Sequence, residues 1–550
     1  MAGFARLYSV PAPRVCGGVA PPVVPIRTLH WVLLALILVA AAGLRVYRLR
    51  RSGLWSDEVG SLEACTGRDL AHERLPLNRV IERPPQLLSL RADEGARPWW
   101  AVWTHLRLEN HPPLYFILLR LWRRAFGSGE AAVRSLSIVA SIAGILALFD
   151  ACVMLGYPGM ALAACLLMAL APPQVRLAQD ARGYALMVTL SLLAAAAVTR
   201  LAVRGPGLLR CVALGACLLG MMLTHYYAVA PAAAIVLYAA VRLRGRALRE
   251  AAVAVALAAV LFLVAWGPML GAQAEAVGRN NQWLREPAAI HAGLTLERAL
   301  AAPALLLTDP RPPDQPATWT TSAAVMGVGI LALGLTSIVW RREGLLLWGM
   351  WLWAAVGLVA AVDQYRSSGQ LAYLRYMAAA GPAVCVLLAL AIPALPQRPW
   401  RLMRRAVPGA AAVACLTALP YAVGPYRPGR QDWREMAAYL STRVSPADAL
   451  VFHCAPEGPW RPGVPYLCLS YYLPGGRCPV VLLDGPAGDA VLRRLRECRR
   501  IWVISNSAGD NASEGETLLP GYRLVLSKRF YYSADVLVAE RVPAGSGSGS

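Results

Sequence analysis

The sequence predicts an α-helical protein that crosses a membrane many times and carries a small α/β domain near its C-terminus. Two observations place most of the chain in a bilayer: 57% of the 550 residues are hydrophobic, and the mean hydropathy is +0.47. The apolar residues gather in repeated long runs that one water-soluble core could not bury. A third observation is a change of periodicity after residue 424, where short strand-like runs alternate with helical ones.

The two ends of the chain are predicted to lie outside the folded part. Residues 1–27 form a tail rich in Pro and Ala that contains Arg6, Arg14 and Arg27, and we expect a disordered cytoplasmic segment. Because no small-residue cleavage site follows the first apolar run, Leu29 to Val46 is predicted to be a retained signal anchor. The Gly-Ser repeat at 544–550 is typical of an added linker.

About eleven apolar runs, each bounded by charge, Pro or Gly, are predicted to span the bilayer and to build a transmembrane domain over residues 28–424. Several are shorter than the ~20 residues that a bilayer requires, so their boundaries are approximate. They are residues 29–46, 132–154, 158–174, 184–203, 208–224, 228–242, 250–271, 319–339, 344–362, 377–395 and 406–424.

The distribution of positive charge predicts the orientation. Of the 54 basic residues all but Lys528 are Arg, and many lie in short links between apolar runs, which membrane topology explains better than nucleic-acid binding. Pro112 to Phe126 carries three arginines and is too short to span, so we predict an amphipathic helix along the interface, within a first outer loop at 47–131. The other basic links then face the cytoplasm with the N-terminus, and the polar motifs and C-terminal domain are exported.

Residues 425–543 are predicted to form an exoplasmic Rossmann-like α/β domain, because strands and helices alternate there. The predicted helices are Asp432 to Arg443 and Asp489 to Arg499, and the predicted strands are Ala449 to Cys454, Val480 to Leu483, Ile501 to Ser505, Arg523 to Ser527 and Asp535 to Glu540. Four cysteines of this domain and Cys65 of the first outer loop would meet an oxidising compartment. That setting permits one or two disulfides and leaves their pairing open.

The most informative candidate for chemistry is an acidic pair, Asp57 and Glu58, placed where the chain leaves the first apolar run. A carboxylate at a membrane surface can accept the proton of an attacking hydroxyl, or the pair can hold a divalent cation such as Mg or Mn against a phosphate leaving group. The alternative for an isolated pair is a solvated acidic turn at a helix end.

Three residues near predicted helix starts could bind a phosphate. His111 precedes two prolines that fix a helix start, Arg182 opens the fourth span, and Arg375 begins the tenth. The alternatives are a capping role for His111 and snorkelling of Arg182 to lipid head groups.

The residues predicted to contact substrate beside them are Asp180, Tyr184, His225, Tyr226 and Tyr376. For the histidine and tyrosine of this set at 225 and 226, a place in an interfacial aromatic belt is the alternative. Asp180 could instead neutralise Arg182. The loop from about 273 to 318, with amides and tryptophans near its ends, could cover a sugar.

Six motifs occur together in the order typical of one family. After the acidic pair come HPPLYFILLRLW, LAQDARGYAL, THYYA, RYMAAAGP and DWREMAAYL. Over about residues 29 to 445 the chain therefore resembles bacterial membrane glycosyltransferases of the C superfamily (GT-C), in particular family 39, with its protein mannosyltransferase and aminoarabinose transferase-like members.

The resemblance implies the GT-C fold, a place in the bacterial inner membrane, and an inverting transfer of a sugar from a polyprenyl-phosphate donor to an acceptor on the outer face. Asp57 matches the catalytic base and Glu58 its acidic neighbour, while Arg182 and Arg375 match positions suited to phosphate contact. His111 stands where aminoarabinose transferases place a Lys, and Asp180 replaces the Glu commonly seen in its motif. Metal dependence stays open, because the superfamily has members of both kinds.

Two other function classes remain as alternatives. A flippase or transporter of a lipid-linked sugar would line a route through the bilayer with charge, whereas here the charged residues gather at span ends. A non-catalytic assembly subunit would recruit partners through the exported domain. The sequence leaves open the sugar, the oligomeric state, and whether the acceptor is a lipid, a polysaccharide or a protein.

Overall fold

A computed structural model of the chain describes most of the 550 residues. The described ranges are 26–155, 158–285, 288–312, 315–317, 320–341, 344–390, 403–423, 431–454, 461–473, 478–505, 517–530 and 534–542. Residues 1–25 of the tail predicted at 1–27, and the Gly-Ser repeat, lie outside them.

Long helices dominate the first three quarters of the chain. They are α1 Thr28–Val46, α2 Ser56–Ala64, α3 Leu114–Phe126, α4 Glu130–Val153, α5 Pro158–Leu170, α6 Pro172–Ala178, α7 Tyr184–Arg204, α8 Leu208–Met222, α9 Val229–Arg242, α10 Gly245–Asn280, α11 Ala288–Thr308, α12 Thr321–Val339, α13 Leu346–Arg366, α14 Gly381–Leu390 and α15 Met403–Val423. Short 3₁₀ helices lie between them, at Ala71–Arg74, Tyr226–Ala228, Gln282–Leu284, Gln370–Ala372 and Leu374–Ala380.

Among the described residues, seven helices are long and apolar enough to cross a membrane: α1, α4, α7, α10, α12, α13 and α15. The pair α5 and α6 makes an eighth if it is one broken span, and three shorter apolar helices lie at Leu208–Met222, Tyr226–Arg242 and Leu374–Ala389. Each predicted span coincides with one of these helices. The multi-span helical architecture is therefore confirmed, whereas the number of crossings and their orientation remain predictions.

The predicted span at 158–174 is broken by two prolines. The chain bends by 64° between α5 and α6, because Pro172 and Pro173 cannot continue the hydrogen-bond ladder of α5. The buried Arg45 of α1 donates to the carbonyls that this break leaves unpaired, those of Met168 at 3.3 Å and Ala169 at 3.1 Å. A cation at the C-terminal end of a helix also matches the helix dipole.

One helix of the bundle was missed. The segment predicted as a loop at 273–318 instead contains the last turns of α10 and the whole of α11. Helix α11 packs against α12 and α13, and Ala301 to Leu307 are buried in that contact. Because α11 carries Glu297 and Arg298 in its middle, its hydropathy did not indicate a helix of the bundle. The prediction of an open loop over this range is wrong.

The first loop, residues 47–131, packs on top of the helix bundle. It holds α2, a short helix at Ala101–Thr104, and α3, which begins after Pro112 and Pro113 as predicted. On α3 the residues Tyr115, Phe116 and Leu119 face a core that also takes in side chains of α2. The arginines of α3 were expected at a membrane interface, but Arg120 and Arg123 are buried.

The C-terminal part forms an α/β domain. Its helices are α16 Trp433–Ser441, α17 Gly463–Tyr472 and α18 Asp489–Arg496, and its strands are β2 Ala449–His453, β3 Val480–Leu483, β4 Ile501–Ser505, β5 Tyr522–Arg529 and β6 Asp535–Arg541. Strands β3, β2 and β4 are parallel, as the predicted Rossmann-like alternation requires, and β6 and β5 extend the sheet in antiparallel fashion. All five strands were predicted, whereas α17 was not.

The first loop and the α/β domain contribute to one β-sheet and to one hydrophobic core. A strand of the first loop, β1 Val80–Ile81, pairs antiparallel with β3 and forms one edge of the sheet. A single hydrophobic core includes Leu54 and Val59 of the first loop together with Trp433 and Phe452 of the domain. The eleven cysteines among the described residues are all unbonded, so the disulfides that the compartment permits are not formed here.

Candidate functional site

A cavity of about 1350 Å³ lies between the helix bundle, the first loop and the α/β domain. Its walls come from parts of the chain that are far apart in sequence. They are α2, the chain before α3, the start of α7, the segment after α8, the C-terminal end of α10, α13 with the two 3₁₀ helices that follow it, and the domain. Eight of the ten predicted site residues line this cavity. They are Asp57, His111, Arg182, Tyr184, His225, Tyr226, Arg375 and Tyr376.

Asp57 occupies the first turn of α2 and points into the cavity. Its side chain is 33% exposed, in contrast to the buried residues on either side of it. The position suits an anion, since the unpaired N–H groups of a helix start favour negative charge. An Arg375 guanidinium nitrogen lies 3.5 Å from Asp57 Oδ2. The carboxylate therefore faces the cavity with one cation at its side and room for another partner.

Arg182 and Arg375 approach Asp57 from two directions. Arg182 donates to the backbone carbonyl of Asp57 at 3.3 Å and to Ser61 Oγ at 3.2 Å. The Arg375 guanidinium is surrounded by aromatic rings: its carbon lies 5.6 Å from the ring centre of Trp55 and 5.1 Å from that of Tyr376. Both arginines are more than nine-tenths buried. Two buried guanidinium groups beside one carboxylate leave positive charge available for an anionic ligand.

His111 lies next to Arg182, within 3.3 Å of its guanidinium, and its Nδ1 is 2.8 Å from Glu109 Oε1. Burial, assisted by the Arg182 charge, lowers the pKa of His111 well below its usual range. Burial likewise raises the pKa of Glu109. Both directions have the same cause, since a buried site favours the uncharged forms. His111 therefore contributes a hydrogen-bonding group, not a fixed positive charge.

The hydrogen bonds of His225 define which of its ring nitrogens is a donor. Its Nδ1 accepts a hydrogen bond from the backbone N–H of Tyr227 at 3.1 Å, so the neutral ring carries its proton on Nε2. That nitrogen is buried and has no hydrogen-bond partner among the described residues. The ring packs against His111 and Tyr184 at centroid distances of 4.8 and 5.1 Å. A buried N–H without a partner that borders a cavity is suited to a ligand oxygen.

The tyrosines form the wall beside the cations. The Tyr376 hydroxyl accepts from Arg375 at 3.3 Å, and its ring meets that of Tyr227 edge to face. Tyr226 bonds Gln273 of α10 and accepts from Trp266 at 2.9 Å, which ties the segment after α8 to α10. This wall was predicted as substrate-contacting or as an aromatic belt, and the structure places it in the cavity.

Glu58, predicted to act with Asp57, points away from the cavity. It is completely buried, and Arg134 of α4 binds both of its oxygens, at 2.7 and 2.6 Å. The backbone N–H groups of Trp55 and Ala181 also donate to Glu58. In a helix, neighbouring residues lie about 100° apart, so the pair cannot face one ligand together. The expectation of a joint acidic site is corrected by this geometry.

Asp180 also lies outside the cavity. Its Oδ1 accepts from the indole N–H of Trp55 at 2.7 Å, and the residue is fully buried. The contact holds the ring over which Arg375 lies. Asp180 was predicted to contact substrate or to neutralise Arg182. In the structure it binds instead the indole of Trp55, the ring against which Arg375 packs.

A metal site on the two acidic residues does not fit the donor set. The oxygens of Glu58 are taken by Arg134 and by backbone amides, while Asp57 faces Arg375. Among the residues that the structure describes, no three His, Cys, Asp or Glu side chains gather as metal ligands would. We therefore derive no step through a metal.

Several residues of the site were not anticipated. Glu109 is adjacent to the His111 motif, so its proximity was a signal that went unused. Arg134 lies near the start of a predicted span, and no motif marks it in the sequence. Gln431 lines the cavity from the α/β domain. It directly precedes DWREMAAYL, which was predicted to form a helix and is one of the six motifs of the resemblance, but Gln431 itself lies just outside that motif.

One known family matches part of the chain. The family described as dolichyl-phosphate-mannose-protein mannosyltransferase matches residues 110–270, less than a third of the sequence. That stretch contains His111, Arg182 and His225, whereas Asp57 and Arg375 lie outside it. No curated protein matches.

Solved structures match nearly the whole chain. The crystal structure of ArnT from Cupriavidus metallidurans in the apo state is similar at a TM-score of 0.55 and 14% identity, over 93% of this chain and 98% of that one. The same protein bound to undecaprenyl phosphate gives a TM-score of 0.54. The Archaeoglobus fulgidus oligosaccharyltransferase in complex with Zn and sulfate gives 0.50 at 12% identity, over 91% of this chain and 73% of that one. These matches confirm the fold that the resemblance implies.

Proposed function

We propose that the chain is a membrane glycosyltransferase that moves a sugar from a polyprenyl-phosphate donor to an acceptor hydroxyl, with inversion at the anomeric carbon. One observation carries the proposal: a partly exposed carboxylate, Asp57, faces a large cavity beside two buried guanidinium groups, those of Arg182 and Arg375. This arrangement offers a base for an acceptor and a cationic site for a leaving phosphate, side by side in one cavity.

Arg182, Arg375 and the Nε2–H of His225 are the proposed ligands of the donor phosphate. The arginines can each bind phosphate oxygens in bidentate fashion, and the histidine adds a directed hydrogen bond without charge. His111 lies between Arg182 and His225 and completes this group. A phosphate here would meet the positive charge that Asp57 neutralises only in part.

The reaction follows from these positions. Asp57 accepts the proton of the acceptor hydroxyl, and the oxygen attacks the anomeric carbon of the sugar. The bond between that carbon and the phosphate oxygen breaks, and its electron pair stays on the phosphate, where Arg182 and Arg375 stabilise the charge. Attack opposite the leaving group inverts the anomeric configuration.

The polyprenyl chain would reach the cavity through its membrane-side wall. Apolar side chains of the bundle helices contribute to the cavity lining and would form that wall: Val229 of α9, Leu270 and Val277 of α10, and Leu358 and Val362 of α13. ArnT, which has this fold, is known in a structure bound to undecaprenyl phosphate. An isoprenoid tail between such helices would keep the phosphate at the cationic site while remaining in an apolar environment.

Reconstitution tests the proposal. The purified chain in proteoliposomes is supplied with polyprenyl-phosphate sugars and with lipid, polysaccharide and peptide acceptors, and the Asp57→Asn variant is compared. A general base contributes about 10² to 10⁴-fold to a rate, so we expect transfer to fall by that factor. Nuclear magnetic resonance of the product gives the anomeric configuration. Undiminished transfer by Asp57→Asn, or a retained configuration, would refute the mechanism.

The same experiment separates the alternatives. A transporter of lipid-linked sugars would move the donor between leaflets without forming a product, and Asp57→Asn would alter that movement. An assembly subunit would show neither transfer nor movement alone and would gain activity with its partners. Product formed by the wild-type chain alone excludes both.

A further inference from the structure

The α/β domain holds the segment that carries the catalytic aspartate. We infer that this domain is part of the catalytic centre: it fixes residues 50–56 and thereby positions Asp57, with Gln431 as the principal positioning residue. The inference rests on the proposed function for its consequence in catalysis. The contact between the domain and residues 50–56 can be tested without measuring activity.

Four hydrogen bonds carry the inference. Arg434 donates to the carbonyls of Arg50 at 3.2 Å and Arg51 at 3.0 Å. The backbone N–H of Leu54 donates to the Tyr472 hydroxyl at 2.7 Å. The fourth bond involves Gln431 and is described below. Every one of them joins a side chain of the domain to the backbone of residues 50–56, which end at the first residue of α2.

Gln431 holds the start of α2 directly. Its Oε1 accepts from the backbone N–H of Ser56, the first residue of α2, at 3.0 Å. The indole N–H of Trp433 donates to the same oxygen at 3.1 Å and fixes its direction. The first N–H groups of a helix have no partner within the helix, so an outside acceptor decides where the helix begins. Asp57 is the next residue along.

The close approach of the two parts is visible at Gly53. A Cβ added there would lie 2.8 Å from Asp432 Oδ1 and 3.1 Å from the Tyr472 hydroxyl. Tyr472 in turn donates to Glu130 at the start of α4 at 2.8 Å, and Arg434 also pairs with Glu130. The domain is therefore fastened to the bundle at the place where the chain turns toward Asp57.

Gln431 also belongs to the cavity. It is only 7% exposed, yet it lines the same space as Asp57 and Arg375. Loss of its side-chain oxygen would release the Ser56 amide, and the first turn of α2 could shift relative to Arg182. A displacement of about 1 Å at a reacting group is enough to cost about 100-fold in rate.

The test uses Gln431→Leu, which removes the acceptor, and Gln431→Glu, which keeps an oxygen in its place. Hydrogen–deuterium exchange of the full-length chain reports on the Ser56 amide without reference to activity. We expect exchange there to be at least tenfold faster in Gln431→Leu and within about threefold of wild type in Gln431→Glu. Unchanged exchange in Gln431→Leu would overturn the inference.

The catalytic consequence is read from kcat and from binding of undecaprenyl phosphate. Gln431→Leu should lower kcat at least tenfold and leave the Kd of undecaprenyl phosphate within about twofold, because Arg182 and Arg375 stay in place. Gln431→Glu should recover most of kcat. An equal loss of kcat and of lipid binding would indicate general damage and would overturn the positioning role.

Two further variants keep the test decisive. Should Gln431→Leu fail to fold, Tyr472→Phe removes the acceptor of the Leu54 amide, and faster exchange at that amide is then the expected result. Glu540→Gln breaks an exposed ion pair with Arg523 elsewhere in the domain and should change nothing. A wild-type chain without transfer activity would refute the proposed function, and the exchange data would still decide whether the domain holds the segment.

Discussion

Breaking the buried pair of Glu58 and Arg134 tests whether Glu58, the second acidic residue of the motif, takes part in the reaction or stabilises the fold. The side chains of Glu58 and Arg134 are 0% and 2% exposed, and two hydrogen bonds of 2.7 and 2.6 Å join them. Glu58→Gln removes the negative charge and leaves Arg134 buried without compensation. Breaking a buried ion pair from one side costs about 3–5 kcal/mol, so we expect a loss of that size in the free energy of unfolding.

The surroundings of the pair support the upper part of this range. Arg134 also donates to the carbonyls of Leu49, Ser52 and Gly53, at 2.7, 3.1 and 2.9 Å. Glu58 in turn accepts from the backbone of Ala181 at 2.9 Å. The pair therefore connects α4, the segment before α2 and the turn that carries Arg182. An uncompensated charge would disturb all three.

A double-variant cycle measures the pair. The free energy of unfolding in mixed micelles is compared for wild type, Glu58→Gln, Arg134→Met and the double variant. Because the two single changes break the same contact, the double variant should lose about 2 kcal/mol less than their sum. Transfer per folded molecule should fall less in Glu58→Gln than in Asp57→Asn.

One result would refute this reasoning. If Glu58→Gln unfolded within about 1 kcal/mol of wild type and yet lost as much activity as Asp57→Asn, Glu58 would act in the chemistry. The geometry of the buried pair would then be a poor guide to its role, and the original expectation of a joint acidic site would stand.

Four further predictions concern the site and its support. Arg182→Ala and Arg375→Ala should each weaken binding of undecaprenyl phosphate by about 10 to 100-fold, the value of one charge-assisted contact at about 1.5–3 kcal/mol; calorimetry showing unchanged binding in both would remove them from the donor site. His225→Phe keeps the ring packing but loses the Nε2 donor, so the Kd should rise about fivefold while thermal stability stays near wild type; an unchanged Kd contradicts the assignment. Gly53→Ala should destabilise by about 1–3 kcal/mol through overpacking against the domain, whereas Gly43→Ala, whose added methyl meets nothing within 4 Å, should not. Chelation of divalent ions should leave transfer intact, because the donor set gives no paired carboxylates; activity that returns only with Mg or Mn would contradict this.

The spans and strands could be read from the sequence because their signals are local. An apolar run such as that of α7 reports its own burial, and the strand Val480–Leu483 is bounded by Pro and Asp and was placed correctly. Helix α11 was missed because Glu297 and Arg298 in its middle lower its hydropathy, although the helix packs against α12 and α13. Local hydropathy carries no information about such a contact.

The cavity residues were found for a different reason. A charged residue or a His at the end of an apolar run costs free energy, so such residues are candidates for a functional site. Asp57, Arg182 and Arg375 could therefore be identified one by one. Their convergence could not be derived from spacing, since more than 300 positions separate the first from the last. The order of the motifs supplied that information through the resemblance to known sequences.

The division of work between Asp57 and Glu58 needed coordinates. Adjacent carboxylates look equivalent in a sequence, and the difference lies only in the direction of each side chain from α2. One direction leads to the cavity, and the other leads to Arg134 near the start of α4. Arg134 and Gln431 hold the two sides of the same helix turn, one from the bundle and one from the α/β domain. An aspartate fixed from both sides can keep its geometry while the proposed donor and acceptor exchange in the cavity, which is the condition that the proposed in-line attack imposes.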